Sequence, residues 1–319
     1  MTFFYESFLA SYHALRIDSD RIAVAVSGGV DSMTLLFLLL QIREKKSLIV
    51  LHFDHMLRGD ASDQDRILVE EYCQKYAIPH RIGRENIRAK AQETRHSLEM
   101  TARVERYAFF EEVCRTENIG VLLTAHHLDD RIETALFHLI RGTKLDGIHA
   151  LLPESYHGTL RIVRPLLHTT KAEISGFAEE NAITFHEDAT NLDTEYQRNY
   201  LRHEVLPRFY TINPEYPRAL ENFIQYTEEV SGFINTHVLG WLGHFHENTF
   251  SASDFARETP FLQREIVRLL YQRKNNGTIG LGEWNIAEIV RFITTAGWGT
   301  EKRVKLLTLR KQKWVITIV

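Results

Sequence analysis

Through its first two-thirds the chain alternates short apolar runs with amphipathic stretches. Residues 22–26 are apolar, bounded by Asp20 and Arg21 before and by Ser27, Gly28 and Gly29 after. A run this short between turn residues predicts a buried strand. Residues 31–44 carry Met33, Leu36, Phe37 and Leu40 at helical spacing, which predicts a helix with one apolar face. Residues 47–53 predict a second buried strand and residues 62–76 an amphipathic helix with acidic residues near its start. Residues 80–82 give a weak third strand, 97–116 a long helix, 121–125 another buried strand, and 129–140 a helix stopping near Gly142. Strands alternating with helices predict an α/β fold: a doubly wound, mostly parallel sheet covered on both faces, with ligands beyond the carboxyl ends of its strands.

After about residue 210 the pattern changes. Pro207, Pro214 and Pro217 cluster there, which suggests a boundary between domains at 1–212 and 213–319. Residues 216–242 and 260–273 read as helices. Residues 304–307 and 314–318 read as strand-like runs. The second domain is therefore expected to be smaller and mainly helical.

Composition narrows the class. Hydrophobic residues at 44% and charged residues at 25% of 319 positions describe an ordinary globular chain. The net charge of −4 argues against an overtly basic nucleic-acid coat protein. The charge is unevenly spread: residues 216–319 hold 13 Lys plus Arg against 10 Asp plus Glu. The C-terminal part is thus mildly basic and the rest acidic. Cys73 and Cys114 are the two cysteines and form no CxxC pair, which suits a reducing compartment. No basic-then-apolar leader precedes residue 20, and the longest apolar run, residues 33–40 broken by Thr34, is far short of a membrane span. A cytoplasmic protein with no membrane partner is expected.

Two segments carry chemistry, and both fall at predicted strand ends. Ser27, Gly28, Gly29, Val30, Asp31 and Ser32 join the first strand to a helix. The paired glycines allow a sharp turn and close backbone approach, and the free N–H groups of the helix start favour an anion. A Walker A loop would carry a lysine before its last Ser or Thr, and none is present. Asp31 beside a phosphate calls for a bridging cation, which makes it a candidate metal ligand. The second segment, His126, His127, Leu128, Asp129, Asp130, Arg131, Ile132 and Glu133, opens a later helix. Dipole compensation explains one carboxylate there well and three poorly. A set of oxygen donors suits Mg²⁺ rather than zinc.

Residues 27–32 resemble the SGGxDS pyrophosphate signature of the N-type ATP pyrophosphatases. Thr124 to Asp130 with Glu133 and Thr134 resembles the TAHHxDDxxET block of the tRNA(Ile)-lysidine synthetase family. Further blocks agree in order. They are residues 52–58; Glu99, Arg103, Arg106 and Tyr107; Arg164, Pro165, Leu166 and Leu167; and Glu187, Asp188 and Asn191 with Arg198, Asn199 and Arg202. The resemblance covers about residues 20–210. It implies an adenine nucleotide α-hydrolase-like fold and ATP with Mg²⁺, with phosphates on residues 27–32 and Arg103 or Arg106 near them. Asp31 and Asp130 would hold the metal. It also implies a catalytic pocket of His126, Asp130, Glu133 and Arg198 for L-lysine, with Arg198 on the lysine carboxylate. The partner would be tRNA(Ile) with a CAU anticodon, on a C-terminal domain whose Lys302, Arg303, Lys305, Arg310, Lys311 and Lys313 could track phosphates. A homodimer stays open. Arg131 departs from the glutamine usual in the family; a solvent-facing side chain would make that change inconsequential. The rivals are a tRNA thiolase of the same superfamily, which would need suitably spaced cysteines, and an ATP-binding sensor without catalysis.

Overall fold

The computed structural model describes residues 3–57, 60–149, 151–186, 200–243, 245, 248–275 and 281–319. The chain divides into two compact units, Met1–Thr227 and Glu228–Val319. The division falls inside the helix Tyr216–Leu242, whose second residue is Pro217, the last of the proline cluster.

The first unit is built on a six-stranded sheet of order β3-β2-β1-β4-β6-β5. Its strands are β1 Ile22–Ala25, β2 Leu48–Asp54, β3 His80–Arg84, β4 Val121–Leu123, β5 Glu154–His157 and β6 Leu160–Val163. β1 pairs in parallel with β2 and with β4, β2 with β3, and β4 with β6; only the edge strand β5 runs antiparallel. The chain moves outward from β1 to β2 and β3, then returns to β4 on the other side. This reversal opens a crevice beyond the carboxyl ends of β1 and β4.

Alternation along the strands explains the two covered faces. Ile22, Val24, Leu48, Val50, Val121 and Leu123 pack on one side with Val69, Ile174 and Phe177 from helices. Ala23, Ile49, Leu51, Leu122 and Ile162 point to the other side and meet Tyr107, Phe110 and Cys114 of the helix Leu98–Thr116. The helix Val30–Ile42 departs from the one-faced expectation, because Leu35, Leu38 and Leu39 are fully buried along with Met33 and Leu36. Apolar residues all round mark an interior helix, so the anion turn at its start is anchored in the core. The β5–β6 hairpin and the helix Ile87–Thr94 were not anticipated.

The second unit folds around a four-stranded antiparallel sheet of order β7-β10-β9-β8, with β7 Thr249–Ser251, β8 Thr300–Val304, β9 Leu307–Gln312 and β10 Val315–Ile318. Helices Ala252–Arg257, Pro260–Asn275 and Glu283–Thr295 supply Phe255, Ile266 and Ile289 to its core beside Leu309 and Ile316. Residues 304–307, expected as a strand-like run, instead form a hairpin turn with Lys305 at φ 54°. The basic run is partly engaged. Lys302 pairs with Glu288, Arg310 pairs with Glu301, and Lys311 is buried with Nζ donating to Ile293 O at 2.7 Å. Arg303, Lys305 and Lys313 stay exposed.

Candidate active site

The turn after β1 is held by its own hydroxyls. Ser32 Oγ donates to Gly29 O at 3.0 Å and accepts from the Ser27 amide at 3.1 Å, and the two serine hydroxyls lie 3.1 Å apart. Gly29 is the N-cap of the helix Val30–Ile42 and no side chain caps it. The orphan N–H groups of the first turn are therefore left for an anion. Gly28 has φ +98°, a conformation that favours glycine, and a Cβ there would crowd Asp65 Cβ at 3.3 Å. The strand thus delivers Ser27, Gly28, Gly29, Val30, Asp31 and Ser32 as one preformed loop.

A cavity of about 480 Å³ opens beside this turn, spanning the carboxyl ends of β1, β2 and β4. Ser27, Gly29, Asp31, Ser32, His126 and Asp130 line it together with Arg106. Two segments separated by about a hundred residues in sequence therefore share one crevice. Arg103, one helical turn before Arg106, is exposed and does not line it. Both guanidiniums lie against the Tyr107 ring, at 5.1 and 5.5 Å from its centroid. Burial pulls the pKa of Arg106 down. Arg106 lines the cavity, and among the described residues it makes no ion pair with a carboxylate.

The acidic helix start is ordered by cations. Asp130 accepts from the His127 amide at 3.1 Å and from Arg202 at 3.1 Å. Glu133 is buried, and Arg202 grips it through Nε at 2.6 Å and through its other arm at 2.9 Å. Glu133, expected in the lysine pocket, holds Arg202 and does not itself line this cavity. Arg202 sits in a one-turn π-helix, Leu201–Val205, a bulge that re-aims side chains and recurs at functional sites. Burial raises the Glu133 pKa, with Arg202 opposing. Burial also opposes ionisation of Asp130, but His127, His126 and Arg202 hold its pKa below the usual carboxylate range.

The two histidines differ. Burial drives His126 down to about 4, so its ring is neutral at pH 7; its Nδ1 lies 2.8 Å from Thr124 Oγ1. His127 is also buried, yet Asp130, Asp129 and Asp31 more than offset that burial and raise its pKa. Its Nε2 lies 3.4 Å from Asp130 and 3.9 Å from Asp31. Arg131 is fully buried, so the departure from the family pattern lies in the interior and not on a solvent-facing side chain. Arg164 is structural: it donates to Leu152 O at 2.7 Å and to Ser155 Oγ at 2.9 Å, tying down the β5–β6 hairpin. Arg198, Asn199, Glu187, Asp188 and Asn191 lie outside the described residues.

Lys171 was missed in the sequence. Its Nζ lies 2.7 Å from both oxygens of Asp31, and its backbone N–H donates to Asp129 at 2.8 Å. The available signal was its position at the start of a capped helix just after residues 164–167.

Asp31 and Asp130 approach one imidazole nitrogen, and hard carboxylate oxygens of this kind fit Mg²⁺. Among the described residues no three His, Cys, Asp or Glu side chains form a metal-binding group.

A sheet of this order with an anion turn at its switch point defines the class of doubly wound nucleotide-binding domains. The family model described as PP-loop domain matches residues 4–209. Chlorobaculum tepidum tRNA(Ile)-lysidine synthase is 36% identical over 242 residues, covering 73% of this chain and 71% of that protein. The Geobacter sulfurreducens enzyme of the same name is 39% identical over 203 residues, covering 63% and 43%. In fold the chain is similar to the U34-tRNA thiolase NcsA from Methanococcus maripaludis, with TM-score 0.55, 18% identity, and 70% and 78% of the two chains covered. The chain belongs to the PP-loop family and, within it, to the tRNA(Ile)-lysidine synthases. It spans about half the length of the first curated relatives it matches. Among the described residues no helix is long and apolar enough to cross a membrane.

Proposed function

We propose that this chain ligates L-lysine to C2 of the wobble cytidine in the CAU anticodon of tRNA(Ile), using ATP and forming lysidine. The observation that carries the reading is the meeting of residues 27–32 with His126 and Asp130 around one cavity, in a chain whose relatives bear that enzyme's name. The O2 atom of cytidine attacks the α-phosphorus and pyrophosphate leaves. The lysine ε-amine then attacks C2 and AMP departs with the oxygen. The turn amides and Arg106 stabilise the departing pyrophosphate. Asp31 and Asp130 would hold Mg²⁺, which supplies charge neutralisation along the phosphates. Asp130 also attracts the lysine ammonium, and Arg198 takes the lysine carboxylate as the resemblance implies. His126 is the neutral imidazole on the cavity wall; with Nδ1–H donated to Thr124, Nε2 is free to accept the amine proton. The C-terminal unit, with Arg303, Lys305 and Lys313 exposed, holds tRNA by phosphate contacts.

The thiolase reading is disfavoured by the cysteines. Cys73 and Cys114 are buried on opposite faces of the sheet, and burial pushes both thiols up to about 12. The test is mass analysis of tRNA(Ile) after incubation with ATP and lysine. A lysine adduct on the wobble cytidine is expected. Consumption of ATP with no adduct would overturn the assignment.

A further inference from the structure

The anion turn contains an aspartate and no cation of its own. Residues 27–32 carry neither Lys nor Arg, yet a triphosphate brings about four negative charges against a wall that already includes Asp31 and Asp130. A positive charge reaches the turn from a helix packed on the same face of the sheet as the helix Val30–Ile42. Lys171 stands at the start of the helix Lys171–Glu180, and its ammonium contacts both Asp31 oxygens at 2.7 Å.

Its backbone is clamped independently of that contact. The Lys171 amide donates to Asp129, and Thr170 caps the helix through a reciprocal pair with Glu173. Glu173 is in turn held by Arg218 at 2.9 Å. The Cα is therefore fixed beside the turn. The four-carbon stem above it is flexible, and 41% of the side-chain surface is open to solvent.

We propose that Lys171 is a phosphate-binding residue of this site, its ammonium exchanging from Asp31 onto the β- and γ-phosphates of ATP and staying with the pyrophosphate as it leaves. A cation held by Asp31 would compete with the ammonium for the same two oxygens. The ammonium then needs another anion, and the incoming triphosphate delivers one at the same place. The inference rests on the ATP reading of the site and adds a cation to it from a separate chain segment. In the empty enzyme the same pair keeps Asp31 from repelling the ligand.

Calorimetry of inorganic pyrophosphate, with adenosine as the control ligand, tests this. Lys171→Met should weaken pyrophosphate about ten- to a hundred-fold, the range of a charge-assisted hydrogen bond, and leave adenosine within twofold. Lys171→Arg should recover part of the loss. A residue that merely neutralises Asp31 would lose its effect in an Asp31→Asn background, whereas a phosphate ligand keeps it there. The inference is overturned by pyrophosphate affinity within twofold of wild type in Lys171→Met, by an effect that vanishes in Asp31→Asn, or by a wild-type chain that binds no pyrophosphate. Lysidine formation with Lys171-independent pyrophosphate binding would sink this inference alone. Lys171-dependent binding without lysidine would sink the proposed reaction alone.

Discussion

Replacing Arg202 by Met separates the role of the Arg202–Glu133–Asp130 cluster from that of the cavity it supports. Met fills much of the stem volume and removes the guanidinium. Glu133 then loses both of its hydrogen bonds to Arg202, at 2.6 and 2.9 Å, while only 4% of its side-chain surface is exposed. Removing one partner of a fully buried ion pair costs about 3–5 kcal/mol. Two features lower that figure here. A third of the Arg202 side chain is solvent-exposed, and Glu133 can escape the penalty by binding a proton. A loss of about 2–3 kcal/mol at pH 8 follows, equivalent to roughly 4–12 °C in melting temperature for a unit of this size. The pH dependence has a defined sign. Burial already raises the Glu133 pKa above its ordinary 4.5, and loss of Arg202 raises it further. A carboxyl with a raised folded pKa stabilises the fold below its unfolded pKa and loses that contribution as pH rises through the folded value. Asp130, whose pKa Arg202 helps to lower, adds a term of the same direction. The penalty should therefore be larger at pH 8 than at pH 5. Thermal melting of wild type and variant at both pH values measures it. A variant within about 0.5 kcal/mol of wild type at pH 8, or an equal loss at both pH values, would refute the reasoning.

Asp130→Asn keeps the fold, because an amide oxygen can still accept from the His127 amide, but removes the charge proposed to meet Mg²⁺ and lysine; adduct formation should fall at least about a hundred-fold, and retained activity with a normal melt would count against it. Arg106→Met should raise the ATP dissociation constant about ten-fold or more, while Arg103→Met, outside the cavity, should leave ATP binding unchanged; equal effects in a nucleotide-binding assay would contradict the division of labour. Native protein should resist iodoacetamide at pH 8, since both thiols are buried and raised to about 12; mass spectrometry showing rapid alkylation of the folded chain would reopen the thiolase reading.

What the sequence made legible was local. β1, β2 and β4 are short apolar runs closed by turn residues, and each was readable because its residues are buried on both faces. The long helix expected over 97–116 is found at Leu98–Thr116, where the Ser97 hydroxyl caps it by accepting from the Met100 amide at 3.2 Å. The anion turn was legible because Gly28 has a backbone reason to be glycine. The partners of the site residues were not. Lys171 meets Asp31 across 140 positions, and Arg202 meets Glu133 across 69; no window on the chain contains either pair. Glu133 was placed in the pocket by the resemblance, and nothing in its own segment pointed to Arg202 as its partner. The π-turn at Leu201–Val205 is what brings Arg202 onto it, and that irregularity has no periodic signature. Arg131 shows the same limit: a charged residue on an amphipathic helix reads as solvent-facing until the packing around it is seen.

The reaction proposed above needs one cavity to join ATP cleavage to lysine transfer onto a tRNA base. Pyrophosphate release by the purified chain, measured with tRNA(Ile) or L-lysine omitted in turn and with mass analysis of the wobble nucleotide, tests it most directly. No sustained release is expected without tRNA, and a lysine-mass adduct on the cytidine only when ATP, tRNA and lysine are all present. Sustained release without tRNA, or release with tRNA and lysine that leaves the cytidine unmodified, would contradict it.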